Sequence, residues 1–340
     1  MIDNNLNIKD LSIGYQTGKQ KKMLAENITV EAKKGELIAL IGSNGTGKST
    51  LLRTLCRLQP ALSGNVFIQN KNILQLQAKQ IAQKVSLVST ELYRTSKLKV
   101  IDLVQLGRYP YGKGLFEKSQ NDTEIVMETL AQVGMQNFAH RFITELSDGE
   151  YQRVMIARAL AQDTPVMILD EPTAFLDLAN KFSIVELIWN LCKQHNKTII
   201  YSTHDINIAL QYADVFWVFN KGNLSFGAPE DMLINKTIEH LFQDKDLIFD
   251  INSTQFIKKR KYRFCVDIIG EGDIFTITKL AMERIKIAVG CNNNNPIVVS
   301  ISETNNNIVW IIKNGNQTII CNSIYKLQIA INNIILRKIN

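Results

Sequence analysis

One glycine-rich stretch of the sequence has the composition and spacing of a phosphate-binding loop. The pattern G-x-x-x-x-G-K-[ST], followed by a threonine, is matched in full by Gly42, Ser43, Asn44, Gly45, Thr46, Gly47, Lys48, Ser49 and Thr50. Glycines let backbone N–H groups turn inward around a phosphate, and a helix N-terminus adds partial positive charge. Lys48 then supplies a point charge to the β- and γ-phosphates, and the Ser49 hydroxyl is available to Mg²⁺. The stretch predicts a site for a nucleoside triphosphate and Mg²⁺.

A second group of chemical residues follows an apolar run. Val166–Leu169 reads as a buried strand, and the acids Asp170 and Glu171 come directly after it. In a phosphate-loop fold an Asp at this position holds the metal, usually through water. Glu171, on the other side of the backbone, is placed to orient or deprotonate an attacking water. Two acids at a strand end can also be simply solvated, but Mg²⁺ and Lys48 would balance their charge here.

A third segment, Leu146-Ser147-Asp148-Gly149-Glu150, stands at the start of a predicted helix. Ser147 and Glu150 have the spacing of a capping box, in which each side chain binds the backbone N–H of the other residue. The exposed amides around Gly149 would form a second anion site. The segment has no phosphate loop of its own. We therefore expect it to reach the γ-phosphate that another copy of the chain binds, although a merely capped helix has the same pattern.

Together these motifs resemble those of ABC ATPases, whose signature sequence is usually LSGGQ or LSGGE. The resemblance covers residues 5 to about 243. Asp148 replaces the first glycine of the signature, and we expect this acid to face away from the phosphate. The resemblance implies ATP hydrolysis in which two copies face head to tail around two ATP molecules. It places Lys48, Glu171 and His204 in catalysis and lets Ser147 and Gly149 contact the ATP of the other copy.

Further residues match the same family. Tyr15 resembles the aromatic residue that stacks on adenine, and Asp177 belongs to the loop that runs along the dimer interface. His204 resembles the switch histidine that touches the γ-phosphate, although an exposed Tyr or His at a strand end has ordinary explanations too. One position departs from the family. Thr90, followed by Glu91, stands where the family has a metal-contacting Gln. Either Thr90 or Glu91 substitutes for that Gln, which makes Glu91 a candidate metal ligand beside Ser49 and Asp170, or Glu91 is only a solvated loop acid.

Strand and helix patterns alternate through the first 250 residues, which predicts an α/β fold with a mainly parallel sheet. We expect an ABC-type nucleotide-binding domain at 1–250 with a helical subdomain at about 95–163. The composition changes near residue 250, and residues 251–340 read as a small C-terminal α+β domain whose role the sequence leaves open. This domain could stabilise a dimer, regulate hydrolysis or be purely structural.

The segment Val100–Tyr111 resembles the LGRxPH-type segment of importer ATPases for iron–siderophore, haem and cobalamin, and Ala157–Gln162 agrees with that group. Tyr111 stands where the group usually has His. Gly107 and Pro110 also have a plain explanation as a helix stop and turn. The resemblance implies separate transmembrane permease subunits and a solute-binding protein as partners. A soluble ABC ATPase of a non-transport complex and an exporter motor remain the alternatives.

The charge, the hydrophobic pattern and the cysteines indicate where the protein is located and which kinds of partner it has. The net charge of +7 belongs to residues 251–340, which hold 12 Lys+Arg and 5 Asp+Glu, while residues 1–250 hold 27 of each. Basic and aromatic residues do not alternate there, so we expect a solvated or membrane-facing surface and no nucleic acid. The sequence shows no secretory signal and no apolar run of membrane-spanning length. Its five cysteines have no motif spacing, so we expect reduced thiols and a cytoplasmic protein on the inner face of the membrane.

Overall fold

The computed structural model describes residues 4–18, 20–89, 97–112, 120–245, 247–250, 255–290, 297–304 and 307–339. The chain divides into two compact units, Met1–Phe256 and Ile257–Asn340. The strands up to the division are β1 (Asn4–Thr17), β2 (Gln20–Lys33), β3 (Leu37–Gly42), β4 (Ser63–Ile68), β5 (Lys71–Asn72), β6 (Val85–Val88), β7 (Val166–Leu169), β8 (Thr198–Ser202), β9 (Val215–Asn220), β10 (Asn223–Gly227), β11 (Leu247–Asp250) and β12 (Gln255–Lys258).

The helices of the first unit alternate with these strands. They are α1 (Lys48–Leu55), α2 (Ala78–Ala82), α3 (Val100–Gln105), α4 (Gln120–Gln132), α5 (Asp148–Ala161), α6 (Leu178–His195), α7 (Ile206–Tyr212) and α8 (Pro229–Ile234). None of the helices in the described part of the chain combines the length and the apolar character needed to cross a bilayer.

A six-stranded sheet forms the centre of the first unit, in the order β10-β9-β3-β8-β7-β6. All its pairs are parallel except that of β9 and β10. Every residue of β3, β7 and β8 is buried, as expected for parallel strands covered on both faces. This confirms the predicted α/β fold. Because β3, β7 and β8 run in parallel, the residues that follow their carboxyl ends meet at one edge of the sheet.

A second sheet, in the order β2-β1-β4-β5, is antiparallel. Its apolar side chains share a hydrophobic core with α1 and one face of the central sheet. The three helices α3, α4 and α5 pack on one another and contribute to the core on the other face. Gly107 lies against α5, where a Cβ would come 2.2 Å from the backbone oxygen of Arg158. This glycine is required by packing, in addition to its predicted place near a helix end.

The second unit is a smaller α+β fold, as the sequence predicted. It consists of β13 (Phe264–Ile269), α9 (Gly272–Arg284), β14 (Ile287–Val289), β15 (Ile297–Thr304), β16 (Asn307–Asn314), β17 (Gln317–Cys321) and α10 (Ile324–Ile339). The strands form one sheet in the order β14-β13-β15-β16-β17. Its core joins side chains from the sheet, α9 and α10.

The cysteines depart in part from the sequence-based expectation. Cys56, Cys192 and Cys321 are free, whereas Cys265 takes part in a disulfide. The expectation of reduced thiols throughout is therefore wrong for Cys265. Cysteines that are distant in the sequence are brought together only by the tertiary structure, so spacing alone gives no signal for such a bond.

Candidate functional site

The phosphate loop connects β3 to α1 and keeps backbone donors available. Gly45 and Gly47 have φ angles of +77° and +112°, which residues with a Cβ rarely adopt. Gly47 is the N-cap of α1, and no side chain caps this helix. The first N–H groups of α1 therefore point into the loop without a side-chain acceptor. Such a cradle of backbone donors is suited to a phosphate.

The remaining loop residues close the cradle around Lys48. Thr46 donates its hydroxyl to the backbone oxygen of Ser43 at 2.8 Å, while Ser43 and Asn44 are exposed. Lys48 is only 6% exposed, and its Nζ donates to the backbone oxygens of Gly42 and Ser43 at 2.9 and 3.2 Å. Burial lowers the pKa of Lys48, and the nearby carboxylates of Glu171 and Asp170 oppose this shift. A buried ammonium ion held only by carbonyls is well placed to receive an anion.

Asp170 follows β7 and lies beside the start of α1. Ser49 donates its hydroxyl to Oδ1 of Asp170 at 3.2 Å, and Ser202 donates to the same oxygen at 2.7 Å. Asp170 is 7% exposed. Over the described residues, no group of three or more His, Cys, Asp or Glu side chains is arranged to hold a metal. One hydroxyl and one carboxylate fit a Mg²⁺ ion that takes its other ligands from water and substrate phosphates.

Glu171 has a strained backbone and a defined partner. Its φ angle is +49°, a left-handed conformation that costs a non-glycine residue about 1–2 kcal/mol. Its N–H donates to the Ser202 hydroxyl at 2.8 Å, and its Oε1 lies 3.0 Å from Nε2 of His204. Strain of this kind is typical of functional sites. The carboxylate is thus held at the edge of the sheet, next to the histidine that follows β8.

Ser202 is a site residue that sequence reasoning missed. It ends β8 and is fully buried, and its hydroxyl contacts both Asp170 and the backbone of Glu171. It therefore fixes the two acids relative to each other. The available signal was a polar residue at the end of an otherwise apolar buried strand, directly before Thr203 and His204.

Tyr15 lies next to the phosphate loop. Its hydroxyl is 3.0 Å from Oγ1 of Thr50, the residue after Ser49. Thr50 is buried, whereas Tyr15 is 51% exposed. The hydrogen bond ties one end of the Tyr15 side chain to α1, and its exposed ring is accessible from solvent.

The predicted capping box is present at the start of α5. The Ser147 hydroxyl accepts from the N–H of Glu150 at 3.3 Å, and Glu150 accepts from the N–H and the hydroxyl of Ser147, both at 2.8 Å. These hydrogen bonds lower the pKa of Glu150. Ser147 and Asp148 are exposed, and Gly149 is buried. The helix start therefore presents its cap to solvent.

Asp177 and Gly149 meet the same asparagine. Asp177 caps α6 by accepting from the N–H of Asn180 at 2.8 Å, and it also accepts from the Asn180 side chain at 3.0 Å. A Cβ on Gly149 would lie 3.1 Å from Oδ1 of Asn180. Asn180, which sequence reasoning missed, thus joins the start of α5 to the loop before α6. The same loop carries Phe175, 80% exposed with a φ angle of +63°.

The structure brings together some predicted residues and separates others. Lys48, Ser49, Asp170, Glu171 and His204 form one continuous cluster at the carboxyl ends of the central strands. Among the described residues, the hydrogen bonds between Ser147 and Glu150 stay within the cap of α5 and do not involve this cluster. The two anion-binding elements are therefore separate in one chain. The predicted metal ligand Glu91, and Thr90 before it, lie outside the described residues.

The segment that resembles iron-chelate importers holds the end of α5. Arg108 pairs with Asp122 at 2.8 Å and donates to the backbone oxygen of Ala161 at 2.9 Å. The Tyr111 hydroxyl donates to the backbone oxygen of Gln162 at 3.0 Å. These donors satisfy carbonyls that a helix end leaves unpaired, and Arg108 also complements the helix dipole. This capping role gave no recognisable pattern in the sequence.

A groove opens beside the same segment of α5. Its volume is about 850 Å³, and its lining includes Leu58, Leu76, Ile81 and Arg158. Leu58 is 68% exposed. Burial lowers the pKa of Arg158. The groove combines apolar side chains with the guanidinium of Arg158.

Two protein-family models match the chain. One, described as ABC transporter, matches residues 25–174. The other, described as Iron ABC transporter C-terminal domain, matches residues 263–332. The petrobactin import ATP-binding protein FpuD of Bacillus anthracis is 37% identical over 239 residues, which are 70% of this chain and 86% of that protein.

Solved structures agree with the cassette geometry. A protein described as a metal-chelate type ABC transporter in an inward-facing conformation is 28% identical, with a TM-score of 0.62, over 70% of this chain and 89% of that one. The ATP-binding cassette MJ0796, solved as a dimer with ADP and Pi, is 26% identical, with a TM-score of 0.58, over 66% of this chain and 98% of that one. At this identity and coverage the relatives show the family, and the chain belongs to the ATP-binding subunits of ABC transporters.

Proposed function

We propose that this ATPase is the motor of an importer for iron–siderophore, haem or cobalamin complexes. The observation that carries the mechanism is the continuous cluster of Lys48, Ser49, Asp170, Glu171 and His204, with a separate, exposed anion-binding cap at Ser147. A complete site for hydrolysis then needs the cluster of one chain and the cap of another.

Each residue of the cluster has a distinct task. Lys48 binds the β- and γ-phosphates in place of the carbonyls that it now contacts. Ser49 and Asp170 hold Mg²⁺, with Glu91 as a further candidate ligand. The ion, when bound, neutralises the charge that develops on the phosphate oxygens. Glu171 orients and deprotonates the attacking water. His204 holds the Glu171 carboxylate at 3.0 Å and contacts the γ-phosphate.

The second copy completes the nucleotide site. Ser147 and Gly149 donate to the γ-phosphate from the start of α5, while Tyr15 stacks on the adenine of its own chain. The buried side of Gly149 rests on Asn180, which Asp177 holds. Movement of the cap is therefore transmitted to the loop that begins just after Glu171. ATP binding closes the dimer, and hydrolysis reopens it.

The membrane partner docks in the groove beside α5. Leu58 lines this groove, and Leu106 and Tyr109 belong to the segment that holds the end of α5; the three side chains are 68%, 54% and 59% exposed. Because Arg108 and Tyr111 hold the end of α5, pressure on this region reaches the cap at the other end of the same helix.

Separate permease subunits then place the chain at the cytoplasmic face of the membrane, and a solute-binding protein supplies the cargo outside. Residues 1–250 form the nucleotide-binding domain, with its helical subdomain at about 95–163, and residues 251–340 form an accessory domain.

Iron chelates are favoured as cargo by the family model over residues 263–332 and by the segment at Leu106–Tyr111. A tagged chain purified from native membranes should bring with it an integral membrane protein. The pair is then reconstituted in proteoliposomes, with ATP on the side of the membrane that carries this chain. Labelled iron chelate, haem or cobalamin should move across the membrane toward the ATP side. Recovery without a membrane protein but with nucleic acid would support the soluble alternative, and outward movement of cargo would support an exporter.

Glu171→Gln tests the mechanism directly. The variant should bind ATP and Mg²⁺ and accumulate as a dimer, because water is no longer deprotonated. Hydrolysis should fall by about 10²–10⁴-fold. Sedimentation with and without ATP measures the dimer. Glu145→Gln, at an exposed acid just before α5, is the control. A Glu171→Gln chain that stays monomeric with ATP, alone and with its membrane partner, would overturn the proposal.

A further inference from the structure

The end of the hairpin formed by β1 and β2 borders a cavity beside the start of α1. The cavity has a volume of about 520 Å³ and is lined by Tyr15, Gln20, Lys21 and Lys22. This volume is within the range of ligand pockets. The Tyr15 hydroxyl is 3.0 Å from Oγ1 of Thr50 in the first turn of α1. The cavity therefore adjoins the helix that begins at the phosphate loop.

The register of the two strands determines which side chains accompany Tyr15. Tyr15 is paired with Lys22, and Gln20 is two residues before Lys22 on β2. Because side chains alternate between the faces of a sheet, these three residues share one face, while Gln16 lies on the other. Cβ atoms of directly opposite residues are about 4.5–5.5 Å apart, and long side chains also reach their diagonal neighbours. A base stacked on Tyr15 therefore has Lys22 beside it and Gln20 next along the same face.

The backbone around Tyr15 is held from both sides. A Cβ on Gly14 would lie 2.1 Å from the backbone oxygen of Lys22, so the two strands approach very closely at this point. The backbone oxygen of Gly14 accepts from the side chain of Gln59 at 2.7 Å. These contacts, with the hydrogen bond from Tyr15 to α1, position the ring and the opposite strand relative to the phosphate loop.

Gln20 and Lys22 carry polar groups that the fold does not use. Both side chains are exposed, and among the residues that the structure describes neither side chain takes part in a hydrogen bond or an ion pair. A lysine has only donors, whereas a glutamine amide has an accepting oxygen and a donating NH₂ group. The ammonium ion of Lys22, on the same face, attracts the amide oxygen and repels the NH₂ group. The amide of Gln20 therefore turns its oxygen toward Lys22 and the base.

We propose that Gln20 selects adenine over guanine as the base of the nucleotide that this chain binds. The inference rests on the proposed stacking of the base on Tyr15. The amide oxygen of Gln20 accepts a hydrogen bond from the exocyclic N6 amino group of adenine. Guanine carries the acceptor O6 at the same ring position. Two acceptors then face each other, so a guanine nucleotide lacks this hydrogen bond and meets a repulsive contact instead.

Lys22 acts in this selection as a positioning residue. A rotated amide would present its NH₂ group to O6 of guanine and would remove the discrimination. That rotation places the NH₂ group beside the ammonium ion of Lys22, where donor faces donor. Without the charge of Lys22, both orientations of the Gln20 amide become available, and the amide should bind either base.

The test measures the dissociation constants of ADP, GDP and IDP with Mg²⁺ on the full chain by titration calorimetry. These diphosphates are not hydrolysed, and IDP differs from ADP by having O6 in place of the N6 amino group. ADP should bind about 3- to 10-fold more tightly than GDP and IDP, which corresponds to one hydrogen bond at an exposed site. Equal affinity of the unaltered chain for ADP and IDP would overturn the inference.

Variants of the hairpin assign the preference to particular residues. Gln20→Ala should bring the ratio of the IDP and ADP dissociation constants to about one, whereas Gln20→Glu, which keeps an accepting oxygen, should preserve the preference. Lys22→Met should also bring the ratio to about one. Gln16→Ala, the same change on the other face, should leave the ratio unaltered. Thermal melts check that each variant is folded, which the exposure of these side chains favours.

The outcomes separate this inference from the proposed function. A preference for ADP that persists in Gln20→Ala would overturn the role of Gln20. Equal weakening of all three nucleotides by Lys22→Met would assign Lys22 to the phosphates and reject its positioning role. Tyr15→Ala should weaken all three nucleotides, because base stacking does not depend on the exocyclic group. If Tyr15→Ala leaves their affinities unchanged, the proposed stacking itself is wrong. Loss of the base preference alone leaves the ATPase mechanism intact.

Discussion

The phosphate loop and the cap of α5 are two anion-binding ends of helices, and they differ in how the chain completes them. Lys48 and Asp170 are 6% and 7% exposed, and their charges meet one another inside the chain. Ser147 and Asp148 are exposed, and within the described part of the chain the hydrogen bonds of the Ser147 hydroxyl are to Glu150 at the same helix start. The phosphate loop can therefore bind a nucleotide within a single chain. The cap of α5 needs a phosphate that another chain binds.

Because of this difference, we expect the phosphate loop to determine nucleotide affinity and the cap of α5 to determine dimerisation and hydrolysis. A buried cation gives most of the affinity, because a charge-assisted contact in a desolvated site is strong. Neutral donors at an exposed helix end contribute only when a second chain excludes water around them. Changes in the phosphate loop should therefore abolish binding in a single chain. Changes in the cap should spare that binding and reduce dimerisation and hydrolysis.

The largest effect should come from Lys48→Ala. We expect nucleotide affinity to fall at least about 100-fold, since a charge-assisted contact to phosphate is lost. The nucleotide-free protein should not lose thermal stability, because burial lowers the pKa of Lys48 and already disfavours its charged form. Titration calorimetry and a thermal melt measure the two quantities. Lys34→Ala, at an exposed lysine, is the control, and unaltered ATP affinity of Lys48→Ala would contradict the comparison.

Gly149→Ala should reduce hydrolysis by roughly 10- to 100-fold while monomer affinity for ATP stays within about twofold. The added Cβ would lie 3.1 Å from Oδ1 of Asn180, which displaces the side chain that Asp177 holds. Steady-state ATPase assays and calorimetry check the two parts. Gln152→Ala on the same helix should change neither. Equal loss of binding and of hydrolysis would show that the two ends are not separate.

Ser147→Ala should have a smaller effect. Loss of the cap costs about 1 kcal/mol of stability, and the ATP-dependent dimer of a Glu171→Gln chain should weaken about 5- to 10-fold. Ser147→Asn distinguishes the causes, because Asn caps a helix as well as Ser does. It should restore the melting temperature without restoring the dimer. Recovery of both would assign Ser147 to helix capping alone.

Asp148→Gly should have the smallest effect and the opposite sign. Removing an exposed negative charge near the incoming phosphates should strengthen the ATP-dependent dimer about two- to fivefold at low salt. The gain should disappear in high salt, because screening removes interactions between exposed charges. Sedimentation at two ionic strengths measures this. A gain that persists in high salt would assign the effect to helix geometry.

Much of the first unit could be predicted from the sequence. Phosphate loops and capping boxes depend on local spacing, so Gly42–Ser49 and Ser147–Glu150 identified their elements without any long-range information. Fully apolar runs such as Val166–Leu169 indicated parallel strands, and parallel strands bring their carboxyl ends to one edge. The sequence therefore determined the ABC fold and named the residues that cluster there.

Tertiary structure alone decided how those residues are held. Ser202 gave no motif, yet it positions both Asp170 and Glu171, and Asn180 joins two segments that are about 30 residues apart. Arg108 and Tyr111 cap a helix end more than 50 residues away. In the second unit, Gln328 of α10 bonds the backbone of Ala281 on α9, a contact that no local pattern indicated. The local sequence determines which backbone and side-chain groups of a segment need a hydrogen-bond partner. The tertiary structure determines which distant residue provides that partner, because only packing brings the two together.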